Sequence, residues 1–403
     1  MPNLREALLR HARHYVEVLA RADQQYLQGG DAIARGLSLF DLEWGNIRTS
    51  QQWAAANISS DEDAMRLCNE YPDVGLYCLN IRVDYRAWIL WLQAGLAAAQ
   101  KLGDPIGKSN HLGNLASAYL NLGDSHQAVQ YYNERLTLTR EIGDRRGELS
   151  TLSNLGVAYK NLGEIHQAIE NYEQCLRIAE EIGERRGQAA GLGNLGSAYL
   201  LLGDNERATL YYEQALSITQ ALGDRRDEGN VLGNLGNAYL AIGNIRKAHD
   251  FYEQKLAIAR DMSDRRGEGS ALSNLGRAHA AEGKIQEAID CYQQALAIDQ
   301  ALGNKLQEGA NWSNLGSALA AAEDFPRAIA CFNKRLDIAR SIDDRRGEAY
   351  GLWNLSLALA QLGKQKEAFA CVESALRLFE RVEDPMARTA RKQLADWQGK
   401  TEK

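Results

Sequence analysis

Few residues of this chain have the types and spacing that chemistry requires. Gly103-Asp104-Pro105-Ile106-Gly107-Lys108-Ser109 looks like a phosphate-binding loop, in which backbone N–H groups and a lysine cradle a phosphate. That loop needs four residues between its glycines and a strand before it, whereas this one has three and follows a helical pattern. His11 and His14 stand at i and i+3, a possible ligand pair, but no third partner lies near them in sequence, so a surface or interface role is expected. Cys291, Cys331 and Cys371 occupy one recurring position without a CxxC or HxxxH companion, which fits packing rather than metal or disulfide chemistry. There is no nucleophile elbow, no HExxH and no carboxylate pair set apart from ordinary solvated charge. The chain is therefore expected to be no enzyme and to use no cofactor.

Two polar series remain. Asn114, Asn154, Asn194, Asn234, Asn274, Asn314 and Asn354 recur at a constant interval, with small companions such as Gly193, Gly233, Ser153 and Ser273 one residue before them. An amide both donates and accepts, so a row of amides could pair with the backbone of an extended peptide whatever its sequence. The same amides could instead bond to the adjacent helix or loop and hold the register of the array. The other series is the arginine pairs at 145–146, 185–186, 225–226, 265–266 and 345–346.

The elements that must position these residues follow from a period of 40 that never slips. Residues 144–183 recur from Glu184, Asp224, Asp264, Asn304 and Asp344, with leucine, alanine and tyrosine columns throughout. Within one copy, Leu152-x-x-Leu155-Gly156-x-x-Tyr159 and Ala168-x-x-x-Tyr172-x-x-x-Leu176 have the three-and-four spacing of a helix face. Each copy thus holds two helices. Helix A is capped by Asp144 and stops near Leu162-Gly163; helix B runs from about Glu164 to Glu181. A pair of this size cannot bury its apolar face alone and must stack on the next. The tyrosine columns at 132–292 and 119–239 are expected between the helices, and His126 and His166 near the start of helix B are expected to be exposed.

The order Leu-x-x-Leu-Gly-x-x-Tyr followed by Ala-x-x-x-Tyr resembles the tetratricopeptide repeat, over about residues 106–384. The 40-residue form looks most like the spindle-orientation scaffolds with GoLoco segments and the C-terminal sensor arrays of bacterial signal-transducing NTPases. The resemblance implies an all-α fold, an α-solenoid of antiparallel helix pairs wound as a right-handed superhelix, with helix A lining the concave side. It also implies protein recognition rather than catalysis, and it places the asparagine column at or beside a groove.

The arginine pairs sit in the first turn of helix A, where the helix dipole makes a cation unfavourable by ~0.3 to 1 kcal/mol. Steps of four and three lead from Arg145 to Leu149, Leu152 and Gly156, the packed face, so the first arginine is expected to pair with acids such as Glu148, Glu181 or Glu184. The same steps lead from Arg146 to Ser150, Ser153 and Val157, the groove face. Arg146, Arg186, Arg226, Arg266 and Arg346 would then form a ladder interrupted at Leu306, suited to carboxylates and hence to an acidic partner segment.

Four regions are expected: irregular capping helices over 1–60, a degenerate first repeat over 61–104, seven repeats over 105–384, and a capping helix and tail over 385–403. Trp88 and Trp91 should widen the face on which the first helices dock. A net charge of −7 argues against nucleic acid, no apolar stretch approaches a membrane span, and the charged N-terminus lacks a secretory pattern, so the cytoplasm is expected. The oligomeric state stays open. The expected function is a scaffold that holds a protein segment in its groove. The alternative is a small-molecule sensor closing on a metabolite, with its pocket placed near Trp312 and Trp353.

Overall fold

The computed structural model describes residues 4–401; residues 1–3 and 402–403, the outer ends of the expected caps, lie outside this range. The described residues form helices and short connections, with no strand among them. The chain divides into two compact units, residues 1–202 and 203–403.

The first unit begins with α1 (Leu4–Leu27), α2 (Asp31–Ala56), α3 (Glu62–Val74), α4 (Leu76–Arg82) and α5 (Tyr85–Leu102). It continues in the repeating pattern with α6 (Pro105–Asn121), α7 (Ser125–Glu141), α8 (Arg145–Asn161), α9 (Ile165–Glu181) and α10 (Arg185–Leu201). The second unit holds α11 (Asn205–Leu222), α12 (Arg225–Ala241), α13 (Ile245–Asp261), α14 (Arg265–Ala281) and α15 (Ile285–Leu302). It ends with α16 (Lys305–Ala321), α17 (Phe325–Ser341), α18 (Arg345–Gln361), α19 (Gln365–Arg381) and α20 (Met386–Thr401). Each unit is an α-solenoid in which antiparallel helix pairs stack on their neighbours.

The repeating pair has a simple physical basis. The carboxylate of Asp144 accepts the backbone N–H of Gly147 at 2.9 Å, and Asp264 and Asp344 accept from Gly267 and Gly347 in the same way. The chain reverses between helices at a residue in the left-handed region, Gly143 at φ 73° and Gly163 at φ 78°. Ser263, Glu323 and Asp343 hold that conformation without being glycine, each at a cost of ~1 kcal/mol or more. Between the helices, Tyr132, Tyr172, Tyr212, Tyr252 and Tyr292 are all fully or almost fully buried, as their column requires. Tyr172 lies against Gly156 so closely that an added Cβ there would meet the ring at 2.2 Å. Gly236, Gly276 and Gly316 repeat this contact with Tyr252, Tyr292 and Phe332.

The irregular helices dock as the tryptophans suggest: Trp91 stacks on Trp44 at 5.5 Å and Trp44 on Phe40 at 5.2 Å, over buried Trp88. The sequence reads as one helix from Asp61 to about Asn80, but the helix breaks at Gly75. Leu19 packs at that point, its Cγ 2.5 Å from where a Cβ would stand, so the chain passes there only as glycine and restarts as α4. The phosphate-loop lookalike is a helix cap: Asp104 accepts from Ile106 and Gly107 at 3.1 and 3.0 Å and takes the place an anion would need. His111, fully buried on α6, accompanies it, bonded through Nε2 to Asn69 at 2.8 Å.

Two measurable consequences follow. Ala116 replaces the glycine opposite Tyr132, so the contact yields to one methyl but not to a branched side chain. Gly156→Val should destabilise the protein by about 1–3 kcal/mol in urea unfolding, and an unchanged midpoint would refute this account of the spacing. Burial holds the His111 pKa below its usual 6.5, although the Asp73 carboxylate nearby pulls the other way. The unfolded chain therefore takes up a proton at a pH where the folded chain does not. This contribution is complete above pH 6.5 and is lost as the pH falls through the lower folded value. His111→Gln should flatten the decline in stability as the pH falls below 6.5.

Candidate functional site

The two arginines of each pair meet different surroundings. Arg145 pairs with buried Glu148 and with Glu181, Arg225 with Glu228 at 2.8 Å, and Arg265 with Glu268 at 2.5 Å. The glutamate also accepts from the preceding helix B: Arg140 reaches Glu148 at 2.7 Å and Arg340 reaches Glu348 at 2.7 Å. This clasp supplies the acid that offsets a cation at a helix N-terminus. The second arginines, Arg146, Arg186, Arg226, Arg266 and Arg346, are all exposed. Arg146, Arg226 and Arg266 have no ion-pair partner among the described residues. Arg186 is engaged, and Arg346 binds buried Asp384 at 2.8 Å, with Tyr350 bonding the same carboxylate.

The asparagines of helix A are uniformly half-buried. Asn194 donates to Ser153 at 3.3 Å and Asn354 to Ser313 at 3.2 Å, each linking one helix A to the previous one. Asn114, Asn154, Asn234, Asn274 and Asn314 have no side-chain hydrogen bond among the described residues. The column therefore divides into two amides that tie neighbouring helices and five that leave donor and acceptor available.

Within the second unit the helix A faces open onto two cavities. The first, of about 470 Å³, takes Arg226 and Asn230 from α12, Arg266, Ser270 and Ser273 from α14, and Gln307 and Asn311 from α16. Helix B contributes Lys255 and Asp299 at its floor. The second, of about 350 Å³, is lined by Asn314, Arg335, Arg346, Tyr350 and Asn354. Three expected arginines, Arg226, Arg266 and Arg346, and two expected asparagines, Asn314 and Asn354, thus share hollows with other polar groups. Arg146, Asn114, Asn154, Arg186 and Asn194 lie in the first unit.

The sequence reading did not single out the floor of the larger cavity. Lys255 Nζ donates to Ser270 at 2.9 Å, and burial lowers its pKa while the Asp264 charge raises it. Asp299 is 3% exposed and accepts from Asn311 at 2.8 Å; burial raises its pKa against that bond. Asn311, 1% exposed, accepts in turn from Ser273 at 2.6 Å. The signal was present in the alignment of copies, since the column of Asp299 holds Ala179, Ala259 and Ala339. Trp312, near which the alternative reading placed a metabolite pocket, borders a mostly apolar hollow with Leu296, Leu315 and Cys331, and Gln293, Gln300 and Arg327 also line it. His249, Asp250 and Glu253 bring ligand atoms within 4.8 Å of one another, but both acids are exposed on a solvated helix face, and no assignment follows.

The arrangement has no nucleophile held by a base and no pair of tuned acids; it offers hydrogen bonds and positive charge along a row of helices. The tetratricopeptide repeat model matches residues 107–181, 147–221, 187–261, 267–341 and 307–381. No curated protein matches the chain. Among solved structures, aspartyl phosphate phosphatase F from Bacillus subtilis is similar with a TM-score of 0.60 at 12% identity, over 90% of this chain and 94% of that one. A Rap protein complexed with Competence and Sporulation Factor gives 0.57 at 13% identity, over 97% and 99%. The STAND protein with a tetratricopeptide repeat sensor from Pyrococcus horikoshii gives 0.57 at 16% identity, over 94% and 65%. At these identities the likeness is one of fold, while the repeat matches cover well over half of the sequence. The chain belongs to the tetratricopeptide repeat family.

Proposed function

We propose that the chain is a protein-interaction scaffold that receives an extended, acidic segment of a partner along its helix A faces. The observation that carries this reading is the pair Arg226 and Arg266, exposed, without ion-pair partners among the described residues, and lining one hollow formed by successive helices. A guanidinium at a helix N-terminus is held there against the dipole, and a carboxylate from a partner would relieve that cost. The five available amides suit the backbone of the same segment, because they ask nothing of its side chains. The Rap structure, solved with Competence and Sporulation Factor bound, is a case of a ligand complex on this fold. Arg146 and Arg186, with Asn114, Asn154 and Asn194, would serve the segment in the first unit in the same manner.

The test uses labelled peptides of mixed acidic sequence, matched against neutral peptides of equal length, and fluorescence anisotropy with the full chain. The acidic set should bind, weakening as salt rises, and Arg226→Glu with Arg266→Glu should lower affinity at least tenfold and remove most of the salt dependence. Unchanged affinity in the double variant at low salt would end the acidic-segment reading.

The asparagines provide a second check. Asn234→Ala with Asn274→Ala should weaken peptide binding about tenfold with little change in melting temperature, since no intramolecular hydrogen bond is lost. Asn194→Ala should instead cost about 0.5–1.5 kcal/mol of stability through its bond to Ser153. Equal losses of stability at all three positions would assign the whole column to repeat register.

A further inference from the structure

Asp299 stands in a column that other copies fill with uncharged residues, Asn311 in one that is mostly small, and Lys255 in one that holds alanine, cysteine or arginine. The column of Lys255 holds Ala215, Ala295 and Ala375 beside Arg135 and Arg335, and that of Asn311 holds Gly191, Val231 and Ala271. The repeat therefore folds without them. Asp299 and Asn311 are costly where they stand, and half-buried Lys255 in part, because a polar or charged group withdrawn from water must recover in local bonds what it loses there. What they recover here is incomplete: the ammonium of Lys255 bonds to a serine hydroxyl, and the carboxylate of Asp299 bonds to amides. Among the described residues neither has an oppositely charged group at ion-pair distance. Arg135 and Arg335 show the other ways of filling the Lys255 column. Arg335 pairs with Asp344 at 2.6 Å, and Arg135 reaches Ser109 and Ser150.

All three departures meet in the same cavity of about 470 Å³, within the usual size range of small-ligand sites. Ser270 and Ser273, one turn apart on α14, connect them, the first holding Lys255 and the second holding Asn311 and through it Asp299. A cation and an anion thus stand at two ends of a short polar path, with Arg226 and Arg266 also on the wall. Lys255, Arg226 and Arg266 give three positive charges against the two negative charges of Asp264 and Asp299. No aromatic side chain is among the lining residues, so nothing there would stack on a flat ring.

We propose that this cavity binds a small anionic zwitterion, with one ammonium and two carboxylates, the chemistry of an acidic α-amino acid. The carboxylates meet Lys255 and the two arginines; the ammonium meets Asp299, and Asn311 and the serines fill the remaining hydrogen bonds. Free glutamate or aspartate carries all three groups on one residue; a short peptide with an acidic first residue keeps the ammonium and side-chain carboxylate there and has its other carboxylate only at its C-terminus. The proposal shares Arg226 and Arg266 with the acidic-segment reading and is separated from it by Lys255, Asp299 and Asn311, so variants at Lys255 and Asp299 test it apart from the arginines.

The test is isothermal titration of the full chain with L-glutamate, L-aspartate, glutarate, L-glutamine and the tripeptide Glu-Gly-Gly. An acidic amino acid or the tripeptide should bind at least tenfold more tightly than glutarate, which lacks the ammonium, and than glutamine, which lacks the second carboxylate. Binding by the free amino acid identifies a small-molecule ligand, and binding by the tripeptide alone identifies a peptide terminus. Asp299→Ala should erase the preference over glutarate, and Lys255→Ala should remove binding of all five. Both variants adopt the alanine of neighbouring copies and should keep or raise the melting temperature, which shows that any loss is not unfolding. No saturable binding of glutamate, aspartate or the tripeptide up to about 10 mM, or binding unaltered in both variants, overturns the proposal.

Discussion

Most of the repeating part of this chain depends on how near helix B can come to helix A, and in four copies that distance is set by an aromatic ring lying on a residue without a side chain. Tyr172 over Gly156, Tyr252 over Gly236 and Phe332 over Gly316 are the same contact made again. Because the ring is almost fully buried and the backbone is its floor, the pair has little freedom to slide or tilt. Identical pairs then stack at identical intervals, and every column of the sequence returns to an equivalent place. The polar faces of helix A inherit their regular spacing from this buried contact.

Charge is organised by the same regularity. The first turn of helix A carries two cations where the peptide dipoles disfavour even one. At Arg145, Arg225 and Arg265 the first is offset internally by a glutamate, which in the Arg145–Glu148–Arg140 and Arg265–Glu268–Arg260 clusters also grips the preceding helix B. The clasp does structural work between successive pairs. The second arginine stands outside it: Arg186 is engaged elsewhere, and Arg346 reaches Asp384 before the last helix. A protein of net charge −7 can in this way present rows of positive charge.

Much of this was legible because it is repeated. Caps such as Asp144, the burial of the tyrosine column and the pairing of Arg145, Arg225 and Arg265 with a glutamate three residues on each follow from a pattern present in several copies, although Arg185 meets Gln188 instead. What the sequence concealed occurs once. The break at Gly75 depends on Leu19, more than fifty residues away, and no local pattern announces that contact. Lys255, Asp299 and Asn311 are far apart in the chain and meet only when three pairs are stacked. Attention to departures from the pattern fell on large aromatics, Trp312 and Trp353, whereas the polar departures are the ones that share a cavity.

One copy begins differently from the rest. At Asn304 the side chain makes no cap for α16; its amide leans toward Asp299 at 3.5 Å instead. A missing cap costs about 1 kcal/mol, and in a stack held by nearest-neighbour contacts such a deficit is felt locally rather than averaged over the whole. The start of α16 is accordingly a weak joint, a place where the second unit can part into cooperative blocks during partial unfolding. Its position beside the polar cavity gives the array an internal seam whose strength depends on what fills the space next to it.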